Sequence, residues 1–118
     1  MSTVLFIGPG LMGAPMIANL VRAGHDVRAI GRSEASRQRA VDAGAELCDD
    51  LATAVAGREF VITILPDTPD VEAIVLGEGG LAELMEPGQV FIDMSTISAS
   101  SSRRMHDALA AKGVAALD

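Results

Sequence analysis

A glycine-rich segment near the start of the chain has the spacing of a loop that holds a phosphate group. It reads Gly8-Pro9-Gly10-Leu11-Met12-Gly13 and stands between an apolar run and a helical pattern. In such a loop the first glycine permits a tight turn, the second lets a pyrophosphate approach the backbone, and the third lets the helix pack closely on the sheet. The anion then lies against free N–H groups at the helix N-terminus. The spacing predicts a dinucleotide site, the alternative being a glycine-rich turn without a ligand.

The end of the second predicted strand indicates which dinucleotide the loop would hold. An acidic residue about twenty positions after the loop commonly binds the adenosine ribose of NAD. Here Gly31 stands at that place, followed by Arg32 and Ser33. No carboxylate repels a 2′-phosphate, while the arginine can pair with one and the serine can donate a hydrogen bond to it. We therefore expect NADP(H) in preference to NAD(H), with NAD(H) still possible. The alternative is that Arg32 is a solvated loop cation paired with Glu34.

Short apolar runs alternate with helical patterns along the chain, and this order predicts the fold. Strands are predicted at 3–8, 27–30, 45–47, 60–65, 90–93 and 114–117, with a turn at 66–69. Helices are predicted at 11–23, from a cap at Ser33 or Ser36 to 43, and at 50–56, 70–76 and 98–111. Such an order implies parallel strands joined by right-handed crossovers. We expect one Rossmann-type domain, doubly wound, with a mainly parallel six-stranded sheet and helices on both faces.

The composition excludes several classes of partner. The 118 residues suffice for one domain, and 49% of them are apolar. A formal net charge of -7 without a run of Lys or Arg argues against nucleic acid and anionic membranes as partners. A small anionic cofactor is compatible with that charge, because local backbone N–H groups can outweigh the net field. The apolar stretch 4–21 lacks a basic flank and contains Gly and Pro, so we expect no targeting segment, no membrane span and a cytoplasmic protein.

Few residues outside the glycine loop have types and positions that suggest chemistry. Cys48 is the single cysteine, and we expect a small buried residue rather than a reactive thiol. His25 and His106 have no second ligand at metal spacing, so no metal site is predicted. Asp93 is expected to accept hydrogen bonds from the loop around Ser95 rather than to act as a general acid or base. No catalytic residue is predicted in this chain.

Three blocks of the sequence carry a family resemblance. They are FIGPGLMGAPMIANL at 6–20 with AGH at 23–25, VITILP at 61–66, and VFIDMSTIS at 90–98. With these blocks the whole chain resembles the β-hydroxyacid dehydrogenases, which include 3-hydroxyisobutyrate dehydrogenase, tartronate semialdehyde reductase and, more distantly, 6-phosphogluconate dehydrogenase. The sequence departs from the family at Pro9, where a residue with a backbone N–H is usual. This lost donor is expected to weaken the pyrophosphate contact or to reshape the loop.

The resemblance implies roles for several further residues. The glycine loop would carry the pyrophosphate, Leu65 and Pro66 would line the cofactor cleft, and Thr96 would lie beside the nicotinamide ribose. Leu65 and Thr96 both follow central predicted strands, and ligands of open α/β sheets bind at the carboxyl ends of such strands. The alternatives are a buried loop residue for Leu65 and a helix N-cap for Ser95 or Thr96.

The resemblance also implies an activity that these residues cannot complete alone. The family's substrate-binding Ser-Gly-Gly segment, catalytic Lys and helical substrate and dimerisation domain would lie beyond Asp118. We therefore expect residues 1–118 to be a truncated NAD(P)-binding domain. The full-length protein, expected to be a homo-oligomer, would transfer a hydride between nicotinamide and a small 3-hydroxy acid or semialdehyde. Two alternatives stay open: a stand-alone dinucleotide-binding or sensing module, and the cofactor domain of an imine reductase.

Overall fold

A parallel sheet forms the centre of the protein in a computed structural model that describes residues 1–8, 12–95 and 97–117. Its strands are β1 (Thr3–Ile7), β2 (Asp26–Ile30), β3 (Glu46–Leu47), β4 (Phe60–Thr63), β5 (Val90–Asp93) and β6 (Ala115–Leu117). The order across the sheet is β3-β2-β1-β4-β5-β6. Every neighbouring pair of these strands is parallel.

The order of the strands reverses at β1, which produces a crevice at the centre of the sheet. Strand β1 pairs with β2 on one side and with β4 on the other, so that Ile7 lies opposite both Ile30 and Thr63. The chain builds the sheet outward through β2 and β3 and then returns to build β4, β5 and β6. In sheets of this topology, ligands bind outside the carboxyl ends of the strands where the order reverses.

Helices cover both faces of the sheet and divide the core into two clusters. The helices are α1 (Gly13–Arg22), α2 (Glu34–Asp42), α3 (Leu51–Val55), α4 (Thr68–Leu76), α5 (Leu81–Leu84) and α6 (Ala99–Ala110). Side chains alternate along β1, because successive residues of a strand point to opposite faces. Val4 and Phe6 pack with buried residues of α1 and α2, whereas Leu5 and Ile7 pack with buried residues of α3 to α6. The predicted Rossmann-type fold with helices on both faces is confirmed.

The fourth strand ends earlier than the sequence predicted, and this changes the geometry of the crevice. Strand β4 stops at Thr63 rather than at residue 65. The backbone N–H of Ile64 still donates to the carbonyl of Ile7 at 3.1 Å, but the N–H of Leu65 donates to the side chain of Ser95 at 2.7 Å. A hydroxyl from the loop after β5 thus replaces the next ladder partner, and the chain turns away from the sheet.

One predicted helix boundary was also wrong, and one helix was missed. Helix α4 begins at Thr68 rather than at residue 70, because Asp67 accepts a hydrogen bond from the N–H of Thr68 at 2.8 Å and so caps it. Pro69 is tolerated there because the first turn of a helix does not need its N–H. Helix α5 was not predicted at all. It is one short turn after Gly80, a residue without a capping side chain, and it is held in place by the fully buried Leu81.

Helices α2, α3 and α6 begin at polar N-cap residues. Ser33, rather than Ser36, is the N-cap of α2, and Ser98 caps α6 as predicted. Asp50 caps α3, and hydrogen bonds from the side chain and backbone of Thr53 lower the pKa of this carboxyl. Among the helices of the described residues, none is long and apolar enough to cross a membrane.

Candidate functional site

One cleft at the carboxyl ends of β1, β2 and β4 brings together residues that the sequence singled out separately. Its volume is about 500 Å³. It is lined by residues that follow these three strands: Gly8, Met12, Gly13, Arg32, Ser33, Ser36, Arg39, Ile64, Leu65 and Pro66. All except Ser36, Arg39 and Ile64 were predicted as site residues. Four further predicted residues lie outside the described part of the chain: Pro9, Gly10, Leu11 and Thr96.

Gly8 occupies a position that no other residue could share without displacing its neighbours. Its φ is +87°, in the left-handed region that favours glycine. A Cβ built on Gly8 would lie 2.4 Å from the carbonyl oxygen of Ile64 and 2.5 Å from Cδ2 of Leu65. At Gly13 a Cβ would lie 3.1 Å from Cε1 of Phe6, so the lack of a side chain lets α1 approach the sheet. These two glycines bring β1, α1 and the chain after β4 to one cleft.

The start of α1 has the features of an anion-binding helix terminus. Its N-cap, Met12, makes no side-chain capping bond, and its first turn contains no acidic residue. Pro15 lies in that turn, so its missing N–H removes no intrahelical bond. The N–H groups of the turn therefore have no acceptor from a capping side chain. The positive end of the helix dipole favours negative charge at this point, and the arrangement fits a pyrophosphate.

The end of β2, where NAD sites usually have an acidic residue, is crowded by the start of helix α2. A Cβ on Gly31 would lie 2.8 Å from Oγ of Ser36 and 3.0 Å from the backbone nitrogen of Arg37. The first turn of α2 therefore closes directly over Gly31. A side chain at this residue would require Oγ of Ser36 and the first turn of α2 to shift, so the crowding disfavours a carboxylate there.

The capping of α2 leaves one hydroxyl donor available to a ligand. The Oγ of Ser33 accepts a hydrogen bond from the N–H of Ser36 at 3.1 Å. Ser36 donates its own hydroxyl hydrogen to the carbonyl of Ser33 at 3.0 Å, so this hydrogen is not available to a ligand. Within the described residues the hydroxyl hydrogen of Ser33 has no acceptor. Ser33 can therefore donate to a phosphate oxygen without giving up its role as the cap.

Arg32 lies at the rim of the cleft, and its partner is not the one that the sequence suggested. Its Nη1 donates to Oδ1 of Asp70 at 2.9 Å, joining the loop after β2 to the first turn of α4. Glu34 takes no part in this ion pair, so the suggested pairing of Arg32 with Glu34 was wrong. The arginine is 61% exposed and Asp70 is 28% exposed.

Arg39 is a second cation of the cleft, and the sequence analysis missed it. It is half-buried and lines the cavity, and its guanidinium forms no hydrogen bond or ion pair within the described residues. Its position in the sequence contained a usable signal. Residues three apart lie on the same face of a helix, so Arg39 follows Ser36 on the face of α2 that opens to the cleft.

A buried chain of hydrogen bonds joins the loops that follow β4 and β5. Asp93 is 3% exposed and accepts from the hydroxyl of Thr63 at 2.9 Å and from the N–H of Ser95 at 3.0 Å. The Oγ of Ser95 in turn accepts from the N–H of Leu65 at 2.7 Å. Asp93 therefore accepts bonds from this loop, as predicted. The suggestion that Ser95 is a helix cap was wrong, because Ser98 caps α6.

The other residues considered from the sequence form no second site. In the described part of the chain, no group of three or more His, Cys, Asp or Glu is placed to hold a metal ion. His25 is half-buried, and its Nδ1 accepts a hydrogen bond from the N–H of Ser2 at 2.9 Å. Cys48 is half-buried against the core, and desolvation by burial raises the pKa of its thiol. A raised pKa leaves less of the reactive thiolate.

Comparison with known proteins identifies the family. The sequence model described as the NAD binding domain of 6-phosphogluconate dehydrogenase matches residues 3–118. The chain belongs to this family. Its NAD-binding character confirms a nicotinamide dinucleotide as the class of cofactor, and the stated resemblance to the β-hydroxyacid dehydrogenases is confirmed with it.

Individual relatives of this NAD-binding domain are longer proteins. The 3-hydroxyisobutyrate dehydrogenase of Pseudomonas aeruginosa is 37% identical, and the NAD-dependent L-serine dehydrogenase of that organism is 36% identical. Each alignment covers 100% of this chain and 40% of the relative, so the chain spans about 40% of the length of these curated relatives.

Solved structures agree with the fold of the NAD-binding domain. The Mycobacterium tuberculosis 3-hydroxyisobutyrate dehydrogenase with L-serine gives a TM-score of 0.89 at 35% identity, over 98% of this chain and 39% of that one. An imine reductase from Pseudomonas sp. gives a TM-score of 0.84 at 21% identity, over 98% of this chain and 39% of that one, and it is similar in fold alone.

The crowding around Gly8 predicts a large difference between two glycine substitutions. Gly8 and Gly24 both have positive φ, +87° and +92°, but a Cβ on Gly24 meets nothing within 4 Å. Gly24→Ala should lower the free energy of unfolding by about 1–2 kcal/mol, the cost of the left-handed backbone. Gly8→Ala should lower it by about a further 1–3 kcal/mol, because the methyl group must displace backbone. Urea unfolding measures both losses, and equal losses would contradict the crowding argument.

The hydrogen bond between Ser95 and Leu65 predicts a local loss of order in the cleft. Ser95→Ala leaves the N–H of Leu65, which belongs to a buried residue, without its acceptor. We expect a loss of about 1–3 kcal/mol in unfolding free energy and faster hydrogen exchange at the Leu65 amide. Ser100→Ala removes an exposed hydroxyl and is the control, with an expected change within about 0.5 kcal/mol. An unchanged exchange rate at Leu65 in Ser95→Ala would rule out this role.

Proposed function

We propose that the chain is the cofactor-binding domain of a longer oxidoreductase that acts on a small 3-hydroxy acid or its semialdehyde and uses NADP(H). The observation that carries this proposal is the cleft at the reversal point of the sheet, lined by a glycine turn and two arginines. The bound nicotinamide would supply or accept a hydride. The family and the relatives named as 3-hydroxyisobutyrate dehydrogenases support the substrate class.

The cleft residues divide between the parts of the cofactor. The segment from Gly8 to Gly13, with the free first turn of α1, would hold the pyrophosphate. Leu65 and Pro66 would line the path toward the nicotinamide, and Thr96, after β5, would lie beside the nicotinamide ribose. The bonds from Ser95 and Asp93 fix the loop that carries Leu65. These residues bind and orient the cofactor, and none of them is proposed to transfer a proton.

The adenosine end of the cleft supports NADP(H) over NAD(H). Arg32 and Arg39 put two positive charges beside the free hydroxyl hydrogen of Ser33. This set of donors matches a phosphate group, since arginine pairs with phosphate through charge-assisted hydrogen bonds. The crowding at Gly31 disfavours the carboxylate that would favour a free ribose 2′-hydroxyl. A relative named as an NAD-dependent L-serine dehydrogenase makes this preference a question for direct measurement.

Arg39 provides the test of the NADP(H) preference. Arg39→Ala should raise the Kd for NADPH by about tenfold or more, the effect expected from losing one hydrogen bond to a charged group. The Kd for NADH should change by less than about threefold. Arg37→Ala is the matched control, because Arg37 lies on the same helix but pairs with Asp49 at 2.9 Å and does not line the cavity. Fluorescence titrations of NADPH and NADH on the parent chain, Arg39→Ala and Arg37→Ala measure these Kd values. Equal affinities of the parent chain for the two cofactors would contradict the NADP(H) preference.

The activity itself is tested on the longer protein. The catalytic Lys, the Ser-Gly-Gly segment and the helical domain are proposed to lie in the part of that protein outside residues 1–118. We expect the longer protein to oxidise at least one small 3-hydroxy acid with NADP⁺, and this chain alone to bind cofactor without turnover. A panel of 3-hydroxy acids, assayed by NADPH absorbance, measures both. Activity confined to imines would replace this substrate class with that of an imine reductase.

A further inference from the structure

Asp70 holds one of the two cations that the proposed function assigns to the 2′-phosphate. Its Oδ1 accepts from Nη1 of Arg32 at 2.9 Å, although the two residues are 38 positions apart. The pair joins the loop after β2 to the first turn of α4, across the reversal point of the sheet. Arg39, the other cation, has no such partner within the described residues. The two arginines of the cleft therefore differ in how freely they can meet an anion.

The position of Asp70 is set by helix α4 rather than by the arginine. Asp67 caps this helix, and the N–H of Asp70 donates to the carbonyl of Asp67 at 3.1 Å. A carboxylate in the first turn of a helix is stabilised by the free N–H groups and the dipole there. Asp70 is only 28% exposed, whereas Arg32 is 61% exposed. The carboxylate is thus the fixed member of the pair, and the arginine is the member that adapts.

We propose that Asp70 is a specificity-determining residue that weakens the preference of the cleft for a 2′-phosphate. This inference rests on the proposed function of Arg32. The carboxylate neutralises the arginine that would contact the phosphate, and its own negative charge repels the phosphate dianion. A free ribose 2′-hydroxyl carries no charge and meets neither effect. Asp70 therefore weakens the binding of NADP(H) and leaves the binding of NAD(H) almost unchanged. The ratio of the two affinities then depends on a residue outside the loop that follows β2.

The test is a substitution that keeps the shape of the side chain and removes its charge. Asp70→Asn should lower the Kd for NADPH by about threefold to tenfold and change the Kd for NADH by less than about twofold. The gain for NADPH should shrink at high salt, because screening weakens interactions between exposed charges. Titration of both cofactors on parent and variant gives four affinities at each ionic strength, and the comparison is made at low and at high salt.

Helix α4 also offers a closely matched control. Glu72 pairs with Arg104 at 2.7 Å, and the exposures of its two members, 30% and 61%, match those of Asp70 and Arg32. This second pair joins α4 to α6 and does not line the cleft. Glu72→Gln removes the same charge from the same helix and should leave the ratio of NADPH to NADH affinity unchanged. An equal rise of this affinity ratio in Asp70→Asn and Glu72→Gln would mean that net charge, rather than the pair with Arg32, is responsible.

The outcomes separate this inference from the proposed function. Suppose that the parent chain prefers NADPH and that Asp70→Asn leaves the ratio of NADPH to NADH affinity unchanged or lowers it. The role of Asp70 is then overturned, and the proposed cofactor site stands. If the parent chain binds neither cofactor, the proposed function fails and the inference fails with it. A raised ratio in Asp70→Asn alone, reversed by the double variant with Arg32→Ala, supports both.

Discussion

The close approach of Gly8 to the chain leaving β4 is the contact on which the rest of the cleft depends. The carbonyl oxygen of Ile64 and the side chain of Leu65 fill the space that a Cβ on Gly8 would need. This contact is possible because β1 and β4 are neighbours at the point where the strand order reverses. The glycine turn, the start of α1 and the loop after β4 consequently share one cleft. A side chain at Gly8 would separate these parts.

A second constraint holds the loop after β4, which lines the same cleft. Asp93 is buried at the end of β5, where it accepts bonds from Thr63 and from the N–H of Ser95. The Oγ of Ser95 then accepts a hydrogen bond from the N–H of Leu65, which no longer takes part in the sheet ladder. Buried polar groups need partners, and this chain of hydrogen bonds, which runs through Oδ1 of Asp93, restrains the groups that form it. The loops after β4 and β5 are therefore positioned relative to each other by side chains rather than by the sheet ladder.

The charge of the cleft differs from the charge of the whole chain. The net charge is -7, yet the part of the cleft formed by the loop after β2 and by helix α2 contains Arg32 and Arg39. Several arginines away from the cleft pair with acids, as in the pairs of Arg28 with Glu46 and of Arg37 with Asp49. Exposed pairs of this kind contribute little to stability, but they cancel positive charge away from the cleft. Arg39, which faces the cavity, forms no ion pair within the described residues, so its charge is available to an anion.

The sequence was sufficient for the parts of the structure that depend on local pattern. Apolar runs and glycine spacing predicted the parallel sheet, the turn at Gly8 and the cap at Ser98, because strand periodicity, left-handed backbone and helix capping each act over a few residues. Boundaries that depend on distant groups were predicted less well. The early end of β4 requires a hydroxyl from Ser95, and the short helix α5 is held mainly by burial of Leu81, which no local signal encodes.

The same division runs through the candidate site. By itself the sequence determined that a glycine loop, an arginine after the second strand and a family resemblance point to a nicotinamide dinucleotide, since these features lie in short continuous segments. Only the tertiary structure decided that Arg39 shares the cleft with Arg32 and that Arg32 pairs with Asp70 rather than with Glu34. The physical reason is that an ion pair depends on the distance between side chains in space. The parallel crossover brings residues 38 positions apart to within 2.9 Å, and nothing in the spacing of the sequence records that distance.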